Sequence, residues 1–265
     1  QLQHAWLRAL GFPVATVAEL RRFVVVDTVG ANGQLREVRG ARRVGIVGDS
    51  QANFDETKAV LVKAGYIDEA EDWVAGPDAV LIFDGDLIDG GHQPWEVLRL
   101  AYRLQQRAPQ HVIVLRGNHD DVMERGLRGD EEALENWLSI GGLQTLKDLV
   151  GPSETGPTSI DFGRDSQTGA LRVLARLTQR YPDFEQVLEW LAALPYAARI
   201  DGDTPIDIVH GSPDLSAAAF QQIAQERGNV EDGTGQLGVL WSRRWVDNPA
   251  RVYRHMQQTR AGYLV

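Results

Sequence analysis

The sequence contains no cysteine, which excludes disulfide bonds, thiolate metal ligands and a cysteine nucleophile. The absence of thiols also argues against a redox role. No stretch approaches the roughly 20 consecutive apolar residues that a membrane-spanning helix needs, so no membrane partner is expected. On this absence alone we expect a cytoplasmic protein.

Basic residues are also scarce, since 27 Lys and Arg stand against 37 Asp and Glu and give a formal net charge of −10. Phosphate contacts along nucleic acid need clustered Lys and Arg, so no stable nucleic-acid complex is expected. What the chain does have is 265 residues, 43% of them hydrophobic, enough for one large domain with a substantial core. The oligomeric state has no signal in the sequence.

Strand and helix patterns alternate along the chain. Apolar, β-branched runs typical of fully buried strands cover residues 43–47, 79–83 and 111–115. Apolar residues at helical spacing predict helices over 54–64, 94–106, 131–140, 143–150 and 184–194. Strands are predicted again over 196–200 and 206–209. This alternation is typical of βαβ units and predicts an α/β fold.

The outer boundaries follow from the same patterns. Residues 1–42 are predicted to form an extension, with a helix over 2–10 and a hairpin of strands 23–28 and 35–38 around Asn32-Gly33. The main domain is then 43–265, with an insert of helices and loop over 131–170. Within that insert, residues 152–169 show neither periodicity and are predicted to be a mobile loop.

Polar motifs directly follow three of the predicted strands. They are Gly48-Asp49-Ser50-Gln51, Gly85-Asp86-Leu87-Ile88-Asp89 and Gly117-Asn118-His119-Asp120. Ligands of α/β sheets gather at the carboxyl ends of the strands, so these side chains are expected to converge. Carboxylates, an amide and an imidazole at one edge could hold two divalent cations about 3.5–4 Å apart. The pattern therefore indicates a two-metal phosphoesterase.

Three further features continue the series in a fixed order. They are Trp-Leu-x-x-Gly-Gly from Trp137, His-Gly at the strand end at His210, and Leu240-Trp241-x-Arg243. Over residues 44–255 the whole order resembles the calcineurin-like metallophosphoesterases, and within them the lambda-type bacterial serine/threonine protein phosphatases and diadenosine tetraphosphate hydrolases. The resemblance implies a double-sheet sandwich flanked by helices, in four layers αββα. Trp137 itself is interpreted as a packing residue.

The resemblance also implies a role for each matching residue. The implied metal ligands are Asp49, Gln51, Asp86, Asn118, His210 and His255. Asp86 would bridge two divalent ions, with Mn²⁺ favoured and Fe, Zn, Ni or Mg as alternatives. His119 would protonate the leaving alkoxide while Asp89 orients and charges its ring, and Arg243 would clamp the phosphate oxygens.

The implied reaction is attack by metal-bound hydroxide on a phosphomonoester, such as a phosphoprotein, or on a phosphoanhydride. The resemblance implies direct attack without a covalent enzyme intermediate. The sequence does not choose among phosphoprotein, dinucleoside polyphosphate and nucleotide substrates.

Three departures from the family pattern support a second hypothesis. Gln51 stands where the family usually has histidine, which favours hard ions and weakens binding. Gly90 stands where these phosphatases often have a phosphate-binding arginine, and His255 is the only residue kept of the last motif. The alternative is therefore a weak or inactive protein of this fold that binds phosphate or a phosphorylated partner.

A serine esterase of the SGNH or GDSL type is a more distant alternative. Ser50 would be its nucleophile, His210 its base and Asp207 the residue that orients the base. This hypothesis leaves Asp86, Asp89 and His119 without a role.

Overall fold

A computed structural model describes residues 24–29, 35–151, 166–203, 205–211 and 263–264. In chain order the strands are β1 (Val25–Val29), β2 (Leu35–Arg39), β3 (Arg43–Val47), β4 (Ala79–Phe83), β5 (Val112–Val114), β6 (Ala197–Ile200), β7 (Ile206–Val209) and β8 (Tyr263–Leu264). Every strand predicted within these ranges is confirmed, with ends that differ by a residue or two.

The helices of the same ranges lie mainly between the strands. They are α1 (Phe54–Lys63), α2 (Pro94–Arg107), α3 (Asn118–Leu127), α4 (Glu131–Trp137), α5 (Leu143–Val150), α6 (Ser166–Arg180) and α7 (Phe184–Ala192). A kinked turn, Leu138–Gly142, joins α4 to α5. No helix in this part of the chain combines the length and apolar character needed to span a membrane.

The strands form two sheets. One is three-stranded and parallel in the order β3-β4-β5, with Val47 opposite Phe83 and Phe83 opposite Val114. This register brings the carboxyl ends of the three strands to one edge. The other sheet has five strands in the order β1-β2-β6-β7-β8. The predicted hairpin pairs antiparallel as β1 and β2, and β2 pairs parallel with β6, so these early strands belong to the second sheet.

Both faces of the parallel sheet are covered. On one face, Leu81 and Phe83 of β4 pack against the helices in the larger hydrophobic cluster. On the other face, Val80 and Ile82 pack against Val38 and neighbouring residues of the five-stranded sheet. The uninterrupted apolar run of β4 is explained by this double burial. The contacts define three layers, namely helices, parallel sheet and mixed sheet, and confirm the α/β class.

The prediction of a mobile loop over 152–169 is wrong at its end, because α6 begins at Ser166. The sequence analysis missed this helix, although Ala170, Val173 and Leu177 lie at helical spacing and are buried. The loop was predicted because residues 152–169 show neither periodicity, and the buried positions at helical spacing begin only at Ala170. The predicted helix over 2–10, the turn at Asn32-Gly33 and residues 152–165 lie outside the described ranges.

Candidate metal centre

Three strand ends supply the donors of the candidate site. Asp49 follows β3, Asp86 follows β4 and His210 follows β7. Each of these residues offers one ligand atom, and the three atoms lie within 4.8 Å of one another. Asp49 is exposed and Asp86 is buried. The site therefore has one open side, through which solvent and a substrate can approach.

Two glycines allow the loops that carry these donors to touch. A Cβ on Gly117 would lie 2.1 Å from the backbone nitrogen of Asp86, and a Cβ on Gly85 would lie 2.5 Å from the backbone nitrogen of Gly117. Gly85 also has a φ of +86°, which glycine adopts without strain. This close approach lets the backbone N–H of His119 donate to Asp86 Oδ1 at 3.1 Å.

The Gly-Asn-His-Asp motif lies at the start of a helix, since Gly117 precedes α3 and Asn118 is its first residue. Asp120 fixes this turn, since its carboxylate accepts hydrogen bonds from the backbone nitrogens of Gly117 at 3.0 Å and Leu87 at 3.1 Å. Burial and the nearby charge of Asp86 raise the pKa of Asp120 to about 7. The first turn thus presents Asn118 and His119 toward Asp86 on a rigid element.

His210 is held at both ring nitrogens. Its Nδ1 lies 2.6 Å from the carbonyl oxygen of Asp84, and its Nε2 lies 2.8 Å from Asn118 Oδ1 and 3.3 Å from Asp86 Oδ1. Burial opposes protonation of the imidazole, but the hydrogen bond and charge of Asp86 prevail and raise the pKa of His210 to about 9. The carbonyl contact directs Nε2 into the centre, as is common for histidines that bind metals.

The donor set suits a divalent cation. Asp84 Oδ1 is buried and finds no hydrogen-bond partner in the part of the chain that the structure describes. Burial raises the pKa of Asp84 to about 7. The charge of His210 opposes this shift, and the charges of Asp49 and Asp86 add to it. Buried carboxylates need a counter-charge, and oxygen donors with one imidazole suit hard or borderline divalent ions.

The two substituted positions of the family pattern are neighbours in space. A Cβ on Gly90 would lie 3.2 Å from the Cβ of Gln51, and Gly90 has a φ of +82°. The side-chain nitrogen of Gln51 lies 3.5 Å from Asp49 Oδ2. An arginine at position 90 would therefore crowd Gln51. The side-chain amide of Gln51 itself points its N–H group toward the carboxylate of Asp49.

His119 and Asp89 form a short polar contact beside the centre. His119 Nδ1 lies 2.6 Å from Asp89 Oδ2, and His119 Nε2 lies 3.9 Å from Asp86 Oδ2. Burial opposes protonation of His119, yet the hydrogen bond to Asp89 and the charges of Asp86 and Asp89 hold its pKa above the usual value. The ring therefore has Nδ1 fixed and Nε2 turned toward the donor cluster.

Two contacts to Asp89 were missed by the sequence analysis. The buried side chains of Trp137 and Thr145 both donate to its carboxylate. Trp137 packs in the core as predicted, and its indole N–H has this polar role in addition. A buried hydroxyl on the helix α5 gives no sequence pattern that could have identified Thr145.

The serine esterase hypothesis is wrong. The carboxylate of Asp207 makes two hydrogen bonds with Arg199, at 2.6 and 2.7 Å. The buried Ser50 Oγ finds no hydrogen-bond partner among the described residues, while both nitrogens of His210 are engaged elsewhere. The three residues are therefore not linked as nucleophile, base and orienting group.

The last two residues of the predicted set, Arg243 and His255, lie outside the described residues. Arg125, another cation near the motif, forms ion pairs with Asp121 and Asp130. The residues that the structure does bring together are Asp49, Gln51, Asp86, Asp89, Asn118, His119 and His210.

The fold and this donor set define a class, namely α/β proteins with a candidate cation site at the carboxyl ends of a parallel sheet. A family model described as calcineurin-like phosphoesterase matches residues 42–264. The chain belongs to this family, as the sequence motifs predicted.

Similar proteins include two bacterial enzymes named "Bis(5'-nucleosyl)-tetraphosphatase, symmetrical". The protein of Xanthomonas axonopodis pv. citri (strain 306) is 37% identical over 87 residues, which are 32% of this chain and 24% of that protein. The protein of Xylella fastidiosa (strain 9a5c) is 34% identical over 87 residues, 32% of this chain and 26% of that protein. The match thus spans about a quarter of each relative.

Solved structures share the fold. A serine/threonine phosphatase from Saccharomyces cerevisiae with similarity to human phosphatase PP5 superposes with a TM-score of 0.51 at 16% identity, over 83% of this chain and 59% of that one. A cold-active protein-tyrosine phosphatase of a psychrophilic Shewanella species gives 0.50 at 18% identity, over 96% and 70%. At these identities the likeness concerns the architecture alone.

Proposed function

We propose that this protein is a metal-dependent phosphatase that hydrolyses phosphomonoesters or phosphoanhydrides with two divalent cations at the candidate metal centre. The observation that carries the proposal is the convergence of Asp49, Asp86 and His210 within 4.8 Å, beside Asn118. Asp86 would bridge the ions, with Gln51 completing the first set and His255 the second. Mn²⁺ is the favoured ion. Cations there would supply Lewis-acid activation of water and of the phosphoryl group.

His119 is the proposed proton donor. Its Nδ1 is fixed on Asp89, so Nε2 is the nitrogen that faces the centre. The hydrogen bond and charges of the neighbouring carboxylates hold the pKa of His119 above its usual value and so favour the protonated ring, the form that a general acid for the leaving oxygen requires. Arg243 is the proposed clamp for the phosphate oxygens.

Two substrate classes are proposed. The sequence relatives are named as tetraphosphatases, which supports a phosphoanhydride, whereas the phosphoprotein rests on the resemblance of the sequence motifs to those of bacterial protein phosphatases. We therefore propose one hydrolytic centre for both bond types and leave the choice between them to direct assay.

The proposal includes a fourth layer of the fold and keeps residues 43–265 as the main domain, to whose five-stranded sheet β1 and β2 of the extension are added. Asp207 alternates with Ile206 and Ile208, which face the parallel sheet, so Asp207 lies on the outer face of the five-stranded sheet. Its exposed fraction is nevertheless 0%. This burial supports a covering layer on that face, as in an αββα sandwich.

The test is hydrolysis of p-nitrophenyl phosphate with Mn²⁺, Mg²⁺, Ni²⁺ or Zn²⁺ added to the chelator-treated protein. We expect activity with at least one ion and a loss of about 10²–10⁴-fold in His119→Asn. His111→Asn is the matched control, because His111 lies at the opposite end of the parallel sheet and contacts the carbonyl of Ala79.

Failure with all four ions on p-nitrophenyl phosphate and also on a dinucleoside polyphosphate would refute the proposal. It would favour a phosphate-binding protein without turnover, the alternative that the substitutions Gln51 and Gly90 support. A phosphate titration monitored by calorimetry would then detect the binding that this alternative requires.

A further inference from the structure

The carboxylate of Asp89 is surrounded by hydrogen-bond donors from a distant part of the chain. Trp137 Nε1 donates to Oδ2 at 3.1 Å. Thr145 Oγ1 donates to Oδ1 and accepts the backbone N–H of Asp89 at 3.1 Å. With His119 at Oδ2, each oxygen of this 3% exposed side chain has a partner. The carboxylate therefore cannot rotate without breaking several bonds at once.

The segment from α4 to α5 is shaped to deliver these two donors. Trp137 ends α4 and Thr145 lies in the first turn of α5, and both are 0% exposed. Between them, Gly142 lies against the indole, where a Cβ would be 2.5 Å from ring atoms. Gly141 has a φ of +138° and lies against Asp89, where a Cβ would be 3.4 Å from the Asp89 Cβ. A side chain at Gly142 would therefore push the indole of Trp137 away, whereas at Gly141 the positive φ is what disfavours a side chain.

We infer that Trp137 and Thr145 are positioning residues of the reaction, because they fix Asp89 so that its Oδ2 aims the His119 ring at the metal centre. The inference rests on the proposed function, in which His119 is the proton donor. It assigns to the insert over 131–150 a part in the chemistry of the site. Alignment of a proton donor strongly affects rate, since small displacements of reacting groups are costly.

A purely structural role is the competing explanation, because two buried donors also satisfy a buried carboxylate. The two explanations differ in how their effects depend on Asp89. If Trp137 and Thr145 act through Asp89, their loss has no further consequence for rate once Asp89 cannot orient His119. If they only stabilise the fold, their loss acts equally in both backgrounds.

The first measurement is steady-state kinetics of Thr145→Val, which keeps the shape and removes the hydroxyl. We expect kcat to fall about tenfold with KM unchanged. Thr145→Ser keeps the hydroxyl and should restore most of the rate. Thr178→Val is the matched control, since the Thr178 hydroxyl bonds the carbonyl of Leu174 within α6, and it should leave kcat unaltered. Trp137→Phe should resemble Thr145→Val.

The deciding kinetic step is the double variant. In an Asp89→Asn background, adding Thr145→Val should change kcat by less than about twofold if both act through the same group. A second tenfold loss in that background would overturn the inference and leave a structural role only.

A spectroscopic readout separates this inference from the proposed function. In ¹⁵N-histidine-labelled protein, the Nδ1 proton of His119 in its short bond to Asp89 should resonate far downfield, and His119→Asn assigns it. We expect the resonance in the wild type and Thr145→Ser, and its shift upfield or loss in Thr145→Val. An unchanged resonance in Thr145→Val would overturn the inference. The measurement needs no turnover, so it stays informative even if phosphatase activity is absent.

Discussion

Asp86 and Asp89 lie in one short loop, are 4% and 3% exposed and both have a positive φ, yet their surroundings differ. Asp86 is close to other carboxylates and to His210, and although burial works against its ionisation, the hydrogen bond and charge of His210 hold its pKa below the usual value. Asp89 is surrounded by neutral donors and one histidine. The first environment calls for a cation, whereas the second fixes an orientation.

The largest expected effect separates these two environments directly. Asp86→Asn should abolish metal binding and lower activity by about 10³-fold or more, because the bridging charge is lost. Asp89→Asn should lower kcat by about 10²-fold with metal affinity unchanged, because only the orientation of the proton donor is lost. Calorimetry with Mn²⁺ and steady-state kinetics measure the two quantities. Equal loss of metal affinity in both variants would contradict the division of roles.

Gly117 lies beside Asp86 and Gly141 lies beside Asp89, so substitutions of these glycines compare the two carboxylate environments through the free energy of unfolding. Gly117→Ala should cost about 3 kcal/mol, since its Cβ would lie 2.1 Å from the backbone of Asp86, which cannot move aside. Gly141→Ala should cost about 1–2 kcal/mol, because the strain there is mainly that of its positive φ. Urea denaturation measures both values. Gly48→Ala is the control, as its Cβ would meet nothing within 4 Å, and a reversed order of the two costs would contradict the contacts described.

The smallest expected effect is the pH dependence of metal binding, which arises from the proton on His210 beside Asp86. The pKa of His210 is raised to about 9, so the ring is protonated at pH 7.5 and a cation must displace that proton. Metal affinity should therefore rise with pH up to about 9, by up to tenfold per pH unit, and level off above it. Calorimetry at pH 7.5 in two buffers of different ionisation enthalpy should detect the release of about one proton or more. No release would mean that His210 does not bind the ion.

Much of this arrangement followed from the sequence because it depends on local pattern. The apolar run of β4 predicted a strand that is covered on both faces. The Gly-Asp motif that follows it predicted Asp86 at the carboxyl edge of the sheet. The family resemblance implied the contact between Asp89 and His119, which is present at 2.6 Å.

The rest depends on tertiary contacts that leave no local signal. Thr145 meets Asp89 across 56 residues of chain, and a threonine in the first turn of a helix looks like any other until the fold is known. That Asp84 Oδ1 is buried without a hydrogen-bond partner among the described residues can be seen only in the folded structure, where Asp84 lies near His210 and Asp86. The start of α6 was missed because its first turn lies in a segment without periodicity, and the buried positions at helical spacing follow only from Ala170.

The central claim is that cations bind between Asp49, Asp86 and His210, and anomalous X-ray scattering at the manganese edge tests it most directly. Crystals grown with Mn²⁺ should show two peaks about 3.5–4 Å apart, both within bonding distance of Asp86, with one beside Asp49 and the other beside Asn118 and His210. An anomalous map without a peak at these side chains would contradict the account, whether or not Mn²⁺ is bound elsewhere in the crystal.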